Sequence, residues 1–139
     1  MTTVQAQIRA SVAVKLAAIP GVTAFLLSPR RIIAEQSLPA VCLYSHGDRV
    51  VNDRDDQMGP HERVYSLRVE IRVPGRPEED VTDSFSIAVR RALLQDDTLG
   101  GLANRIVWTD QQWDGTEDEN ALGGTALDFN VFYLWRPFE

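Results

Sequence analysis

Residues 62–73 read ERVYSLRVEIRV, and from residue 66 onward aliphatic and polar residues alternate strictly. The aliphatic members of this run are Leu67, Val69, Ile71 and Val73. Because successive side chains of a strand point to opposite sides, the alternation predicts a β-strand with one buried and one solvent-facing side. Residues 125–135, TALDFNVFYLW, alternate in the same way and predict a second half-buried strand.

Three further segments have the composition of strands. These segments are 22–27 (VTAFLL), 40–45 (AVCLYS) and 104–113 (NRIVWTDQQW). They are rich in β-branched, aliphatic or aromatic residues and are bounded by Ser, Pro, Asn or Gly, which is the usual pattern of strands between turns. The 40–45 segment is almost entirely apolar, so we expect it to lie inside the sheet, with both of its faces covered.

Two segments predict amphipathic helices, at residues 2–19 and 77–95. Their apolar residues recur at intervals of three or four and form a stripe on each helix. The first stripe is Val4, Ile8, Val12, Leu16 and Ile19, and the second is Val81, Phe85, Ala88, Val89, Ala92 and Leu93. Thr2 is the predicted N-cap of the first helix, and Pro20-Gly21 ends it. Two helices covering one face of a mostly antiparallel or mixed sheet form an α+β two-layer sandwich.

The 139 residues predict a single domain, 1–139, with two polar connections. Residues 46–61 (HGDRVVNDRDDQMGPH) predict a long flexible loop. Residues 114–124 (DGTEDENALGG) predict an acidic loop between the last two strands. The net charge of −6 disfavours general binding to nucleic acid. No apolar run reaches the roughly 20 residues of a membrane span, and we expect no membrane association and no secretory signal.

The residue types that carry chemistry do not form a known catalytic or metal-binding pattern. His46 and His61 flank several aspartates, but the central Gly and distal Glu of a calcium loop are missing. Cys42 lies in an apolar segment, where a small core residue is expected rather than an exposed nucleophile. There is no Gly-x-Ser-x-Gly elbow and no phosphate-binding glycine loop. We therefore predict no catalytic residue, no metal, no cofactor and no enzymatic activity.

The order of these segments resembles that of the tail terminator proteins of long-tailed bacteriophages, the minor tail protein U type. The segments that carry the resemblance are the helix QIRASVAVKLAAI, the strand LPAVCLYS, the long polar loop, the strand YSLRVEIRVPG, the helix EEDVTDSFSIAVRRALL followed by DDTLGGL, and the strand TALDFNVFYLW. The resemblance extends from about residue 4 to residue 135 and rests on segment order and length rather than on one sharp motif.

The resemblance implies a non-catalytic structural role in phages, prophages or gene-transfer particles. Members of that family form a hexameric ring on the finished tail tube, stop its growth and present a surface to the head. The implied partners are five further copies, the tail tube protein and the head–tail connector protein, and DNA would pass through the ring without specific binding. The implied location is the virion tail, with assembly in the host cytoplasm.

A ring requires one patch of a subunit to meet a different patch on its neighbour. We expect Arg30, Arg31, Arg49 or Arg54 of one subunit to meet acids near 114–119, or the 53–56 cluster, on the next. Trp113, beside the acidic loop, is the expected aromatic anchor. The candidate interface residues are Arg30, Arg31, Arg49, Asp53, Arg54, Asp55, Asp56, Trp113, Asp114, Glu117, Asp118 and Glu119.

Three alternatives stay open on the sequence alone. The chain could be another head–tail connector or completion protein, docking on the head side instead of the tube. It could be a small ligand-binding or enzymatic α+β domain, which would require a deep pocket with converging polar groups. It could also be a dimeric adaptor with no phage connection.

Overall fold

The structure, a computed structural model, describes residues 3–29, 37–54, 56, 58–73, 79–114 and 124–136. Its elements in chain order are α1 (Val4–Ala17), β1 (Ala24–Leu27), β2 (Ala40–Val50), β3 (His61–Arg72), α2 (Glu79–Leu94), β4 (Arg105–Asp114) and β5 (Gly124–Trp135). The five strands form one sheet in the order β1-β2-β3-β5-β4. Since β1 runs parallel to β2 and the other neighbours are antiparallel, the sheet is mixed, and the predicted α+β class is confirmed.

Both helices pack on the same face of the sheet. Helix α1 buries Ile8, Val12 and Leu16, and α2 buries Val89 and Leu93. These five side chains share one core with inward-facing residues of the strands, which are Val41, Leu43, Tyr65, Leu67, Val69, Ile71, Ile106, Leu127, Phe129, Val131 and Tyr133. A fully buried aliphatic side chain contributes about 1.5–3 kcal/mol, so this layer supplies most of the driving force for folding.

The alternation read in the sequence at 62–73 and 125–135 is confirmed strand by strand. The inward residues of β3 and β5 pair across the centre of the sheet, as in Leu67 with Phe129 and Val69 with Leu127. The residues between them, such as Arg68 and Asp128, face away from the helices and pair with each other. The opposite face of the sheet is therefore polar along its middle.

The first helix begins one residue later than expected. Thr3 is the N-cap, and its hydroxyl accepts a hydrogen bond from the Ala6 amide at 3.1 Å. The prediction that Thr2 caps this helix is wrong, because the hydroxyl that reaches the helix amides belongs to Thr3. Apart from the end of β2, the remaining boundaries of the described helices and strands fall within two residues or so of those predicted.

The predicted loop at 46–61 is wrong in its boundaries. Residues 46–50 belong to β2 and His61 opens β3, so the connection between the strands is only 51–60. Gly47, Asp48, Arg49 and Val50 pair with residues 63–66 of β3. A bulge between Ser45 and Gly47 shifts the register there, which breaks the period-two pattern on which a strand is recognised. The flexibility of the connection stays a prediction.

Candidate assembly surfaces

The β2–β3 hairpin extends beyond the rest of its sheet edge. β1 pairs only with Ala40–Leu43, so the part of β2 from Tyr44 to Val50, here named the outer half of β2, has β3 on one side only within the described chain. Ser45, His46 and Arg49 are exposed along it. A strand with free backbone groups on one side is a ready site for pairing with another chain.

The hairpin tip, residues 51–60, continues this exposed surface. The predicted interface residues Asp53, Arg54 and Asp56 are exposed there, and Arg49 lies close by in sequence at the end of β2. Two large apolar side chains are also in solvent, Val51 at 45% and Met58 at 71% exposure. The structure thus places four predicted residues on one projecting element; Asp55 lies outside the described residues.

The base of the hairpin is held by a polar network centred on Asp48. Its carboxylate accepts hydrogen bonds from Arg63 Nε and from the hydroxyl of Tyr133 on β5, and a longer one of 3.3 Å from Gln5 Nε2 on α1. Burial and then the hydrogen bond to Asp48 raise the pKa of the Tyr133 phenol, so the hydroxyl stays a donor. One carboxylate therefore joins β2, β3, β5 and α1.

This network was missed in the sequence because Asp48 stands in a polar run. The signal that could have found it is the alternation itself. If β2 is continued through the bulge, Asp48 falls on the face of the sheet that carries Tyr65 and Tyr133. A carboxylate on that half-buried face requires partners, and Arg63 and Tyr133 provide them.

The two histidines have separate environments. His46 is exposed at the bulge, whereas His61 is buried against Trp135, with 4.9 Å between ring centroids. Because the Arg63 guanidinium donates to His61 Nε2 at 3.2 Å, the proton lies on Nδ1, which donates to the Gly59 carbonyl at 2.9 Å. Both ring nitrogens of His61 are thus used within the protein. Over the described ranges no three His, Cys, Asp or Glu side chains gather in a group that could hold a metal ion.

The opposite side of the sheet ends in β4, whose outer side carries no strand in the described part of the chain. This surface, here named the β4 edge, is residues 105–114 and presents two indoles, Trp108 at 36% and Trp113 at 51% exposure. Arg90 of α2 lies over the Trp108 ring at 4.5 Å, and the Trp108 indole donates to the Asp110 carbonyl at 3.0 Å. Trp108 is therefore a surface residue held by α2, and Trp113 is the more exposed of the two indoles. Its predicted role as an aromatic anchor stays a prediction.

The remaining predicted interface residues are not all described. Asp114 is the last residue of β4, and only its backbone position in the strand is described. Arg30, Arg31, Glu117, Asp118 and Glu119 lie outside the described residues. The predicted pairing of these arginines with these acids is thus left as a prediction.

The helix-free face of the sheet has a row of ion pairs. Arg68 on β3 holds Asp128 on β5 with two hydrogen bonds, of 2.9 and 3.3 Å, and Arg72 contacts Glu70 at 2.7 Å. Asp110 on β4 stands directly opposite Asp128. The hydrogen bond to Asp128 raises the pKa of Arg68, and Asp110 contributes to the same shift. Asp110 therefore places a second carboxylate near the Arg68–Asp128 ion pair without an ion pair of its own to Arg68.

Next to this row lies a shallow cavity of about 250 Å³, lined by residues that include Arg68, Glu70, Arg72 and Trp113. Its charged side chains are engaged in the ion pairs just described.

Cys42 is fully buried in β2, as expected of a core residue, and burial raises the pKa of its thiol to about 11. The thiol is thus protonated and shielded at neutral pH.

No protein-family model and no curated protein sequence matches the chain. A solved structure is similar: a chain of the virion of a native gene transfer agent particle, with a TM-score of 0.55 and 18% identity. The alignment covers 96% of this chain and 92% of that chain. Within the described residues, no helix combines the length and the apolar character of a bilayer span. At this identity the likeness establishes a shared fold, which is that of a chain in the virion of a gene transfer agent particle.

Proposed function

We propose that this protein is a phage or prophage tail terminator. In this role six copies form a ring on the end of a tail tube, stop the addition of tube subunits and offer a new surface for joining the head. The role is non-catalytic, and its partners are other copies of the chain, the tail tube protein and a head–tail connector protein. Its place is the tail of the virion, reached by assembly in the host cytoplasm.

The observation that carries the proposal is the presence of two different exposed surfaces on opposite sides of one sheet. The outer half of β2 and the hairpin tip lie towards one side, and the β4 edge with its exposed indoles forms the other. A closed ring is built from contacts of this head-to-tail kind, in which each subunit uses two distinct patches. The fold shared with a virion component, over nearly the whole length of both chains, supports the same role.

The charges of these surfaces would align neighbouring subunits more than they would strengthen their binding. Each exposed ion pair contributes at most about 1 kcal/mol, so arginines such as Arg49 and Arg54 would orient neighbours while apolar burial holds them together. Val51, Met58, Trp108 and Trp113 are the exposed apolar groups available for that burial. Six copies at −6 each carry −36 formal charges, a balance that lets DNA pass without adhering.

The test is assembly on tubes built from a tail tube protein of the phage or prophage that encodes this chain. The protein is added to growing tubes, tube lengths are measured by negative-stain electron microscopy, and the capped species is weighed by native mass spectrometry. We expect growth to stop at one end and the cap to weigh six times the 15.6 kDa chain. As a control, protein that has been denatured and aggregated by heat before addition should leave tube growth unaffected.

Two results would overturn the proposal. If tubes keep growing and the chain binds filled heads instead, the protein is a connector or completion protein. If the protein binds neither tubes nor heads, and stays a monomer at all concentrations in the presence of tubes, the proposed role in the tail is wrong.

A further inference from the structure

We infer that neighbouring copies meet by antiparallel contact between the outer half of β2 of one copy and the β4 edge of the next, with Arg49 facing Asp110. The inference rests on the proposed ring and names the contact that closes it. The occupant of each free edge is thus a second copy of this chain.

Strand direction favours this pairing. β2 and β5 run the same way, because each is antiparallel to β3, and β4 is antiparallel to β5. β2 and β4 of one molecule therefore run in opposite directions. When two copies lie side by side with their helices on the same side, β4 of one is antiparallel to β2 of the next, which is the more stable ladder.

The two charged side chains also lie on the same face. Arg49 is paired with Val64, one residue away from the Asp48–Tyr65 pair that faces the helices, so Arg49 faces the helix-free side. Asp110 is paired with Asp128, whose partner Arg68 is on that same side. In a continuous sheet of two copies, Arg49 and Asp110 therefore stand on one surface, as residues of a cross-strand pair must.

Charge complementarity identifies the occupant. Asp128 holds the guanidinium of Arg68 in an ion pair, whereas Asp110, directly opposite Asp128, has no ion pair among the described residues. In that part of the chain Asp110 accepts from two neutral donors, the Gln111 amide at 2.9 Å and the Gln112 side chain at 3.2 Å. Arg49 is exposed and forms no ion pair with any described residue. An unmatched cation on one edge and an excess carboxylate on the other balance each other when two copies meet.

The bulges limit the contact to a short segment. β2 is irregular between Ser45 and Gly47, and β4 between Trp108 and Asp110. Bulges twist an edge and prevent indiscriminate growth of a sheet. The regular parts beyond them, Gly47–Val50 and Asp110–Asp114, have similar lengths and include the two charges.

The first test is disulfide trapping with the variant carrying both Arg49→Cys and Asp110→Cys. Directly opposite residues of antiparallel strands place their Cβ atoms about 4.5–5.5 Å apart, near the span of a disulfide. The native thiol, Cys42, is buried and will not interfere. On tubes under mild oxidation we expect a ladder of linked species up to six copies, which disappears with reductant. The matched control joins Asp110→Cys with Val14→Cys on the solvent side of α1, and should stay unlinked.

The second test reverses charges. Arg49→Asp alone and Asp110→Arg alone should each weaken ring assembly by roughly five- to tenfold, and the double reversal should restore it. Capped tubes formed by the wild type, with no linked product from the double cysteine variant, would overturn the contact while leaving the ring standing. Dimers from Asp110→Cys alone would show that two β4 edges meet, which also overturns it. Failure of the wild type to cap tubes would instead remove the proposed function.

Discussion

At the scale of single residues, Asp48 is the side chain whose removal should cost the fold most for its size. Asp48→Ala leaves the Arg63 guanidinium and the Tyr133 hydroxyl without their acceptor, and we expect the free energy of unfolding to fall by about 2 kcal/mol. The adjacent exposed residue gives the control: Arg49→Ala should change stability by less than about 0.5 kcal/mol. Urea denaturation followed by fluorescence measures both, and equal losses would contradict the role of Asp48.

Because of Cys42, we expect the free energy of unfolding to fall at alkaline pH. Burial, and then the charge of Glu70, raise the pKa of the thiol from 9.0 to about 11, so the folded state holds the proton more tightly than the unfolded state. The stability tied to this proton is fully present below pH 9 and is lost as the pH rises towards 11. Cys42→Ala should flatten the fall in unfolding free energy over that window, as measured by urea denaturation at several pH values. Identical slopes in the two proteins would refute the assignment.

The same two residues show what a sequence can reveal at this scale. Cys42 could be placed in the core because its neighbours Val41 and Leu43 are apolar. Asp48 could not be placed, because its role depends on Tyr133, which lies 85 positions away in the chain. Trp113 could be predicted at the surface beside an acidic segment, whereas the contact of Arg90 with Trp108 depends on how α2 lies over the sheet.

At the scale of elements, the join between β3 and β5 depends on a close approach of two backbones. A Cβ at Gly124, the first residue of β5, would stand 2.2 Å from the carbonyl oxygen of Ile71, a distance that the backbone must move to relieve. We expect Gly124→Ala to lower the free energy of unfolding by about 2 kcal/mol. Gly47 has open space around it, so Gly47→Ala should change stability by less than about 0.5 kcal/mol. Thermal unfolding of the two variants compares them, and a neutral Gly124→Ala would disprove the close approach.

The cap of α1 gives a second element-scale prediction. Thr3→Ala removes the acceptor of the Ala6 amide and should cost about 1 kcal/mol of stability, whereas Thr3→Ser keeps an acceptor and should cost little. Circular dichroism during urea unfolding measures the difference. Equal stability of the two variants would show that the cap is not needed.

The elements that the sequence could predict are those with a regular period. β3 alternates strictly from residue 66 and β5 alternates over most of its length, and both helices have apolar stripes, so their existence and approximate bounds follow from periodicity. The outer half of β2 could not be recognised, because the bulge at His46 shifts the period and its polar residues resemble a loop. Local pattern therefore predicts the regular elements, whereas the irregularity at an edge hides the outer half of β2.

At the scale of the whole molecule, the order of strands in the sheet lies beyond what periodicity can give. The antiparallel neighbours could be expected in general, but the parallel β1–β2 pair and the insertion of β5 between β3 and β4 depend on the packing of both helices on one face. The candidate surfaces follow from this order, since it decides which strands are at the edges. That Arg49 and Asp110 lie on edge strands can be recognised only once the strand order is known.

The proposed ring has a salt dependence that the fold does not share. Exposed ion pairs across subunits are screened at high ionic strength, whereas the buried core of each subunit is not. We expect the rate of capping to fall several-fold between 0.05 and 0.5 M NaCl, with the unfolding midpoint of the free protein changing little. Stopped tube growth followed by light scattering measures the rate. A rate unaffected by salt would argue that charge does not guide the contact.

The position of β5 has a consequence for how the chain folds during synthesis. β5 is made after the other strands, yet it lies between β3 and β4 and pairs with residues some sixty positions earlier. Pairings between residues far apart in the chain form slowly. While β5 is still inside the ribosome, neither β3 nor β4 has its neighbour on that side. A nascent chain that lacks β5 therefore cannot hold β4 in the sheet, and the β4 edge forms only after β5 has been made.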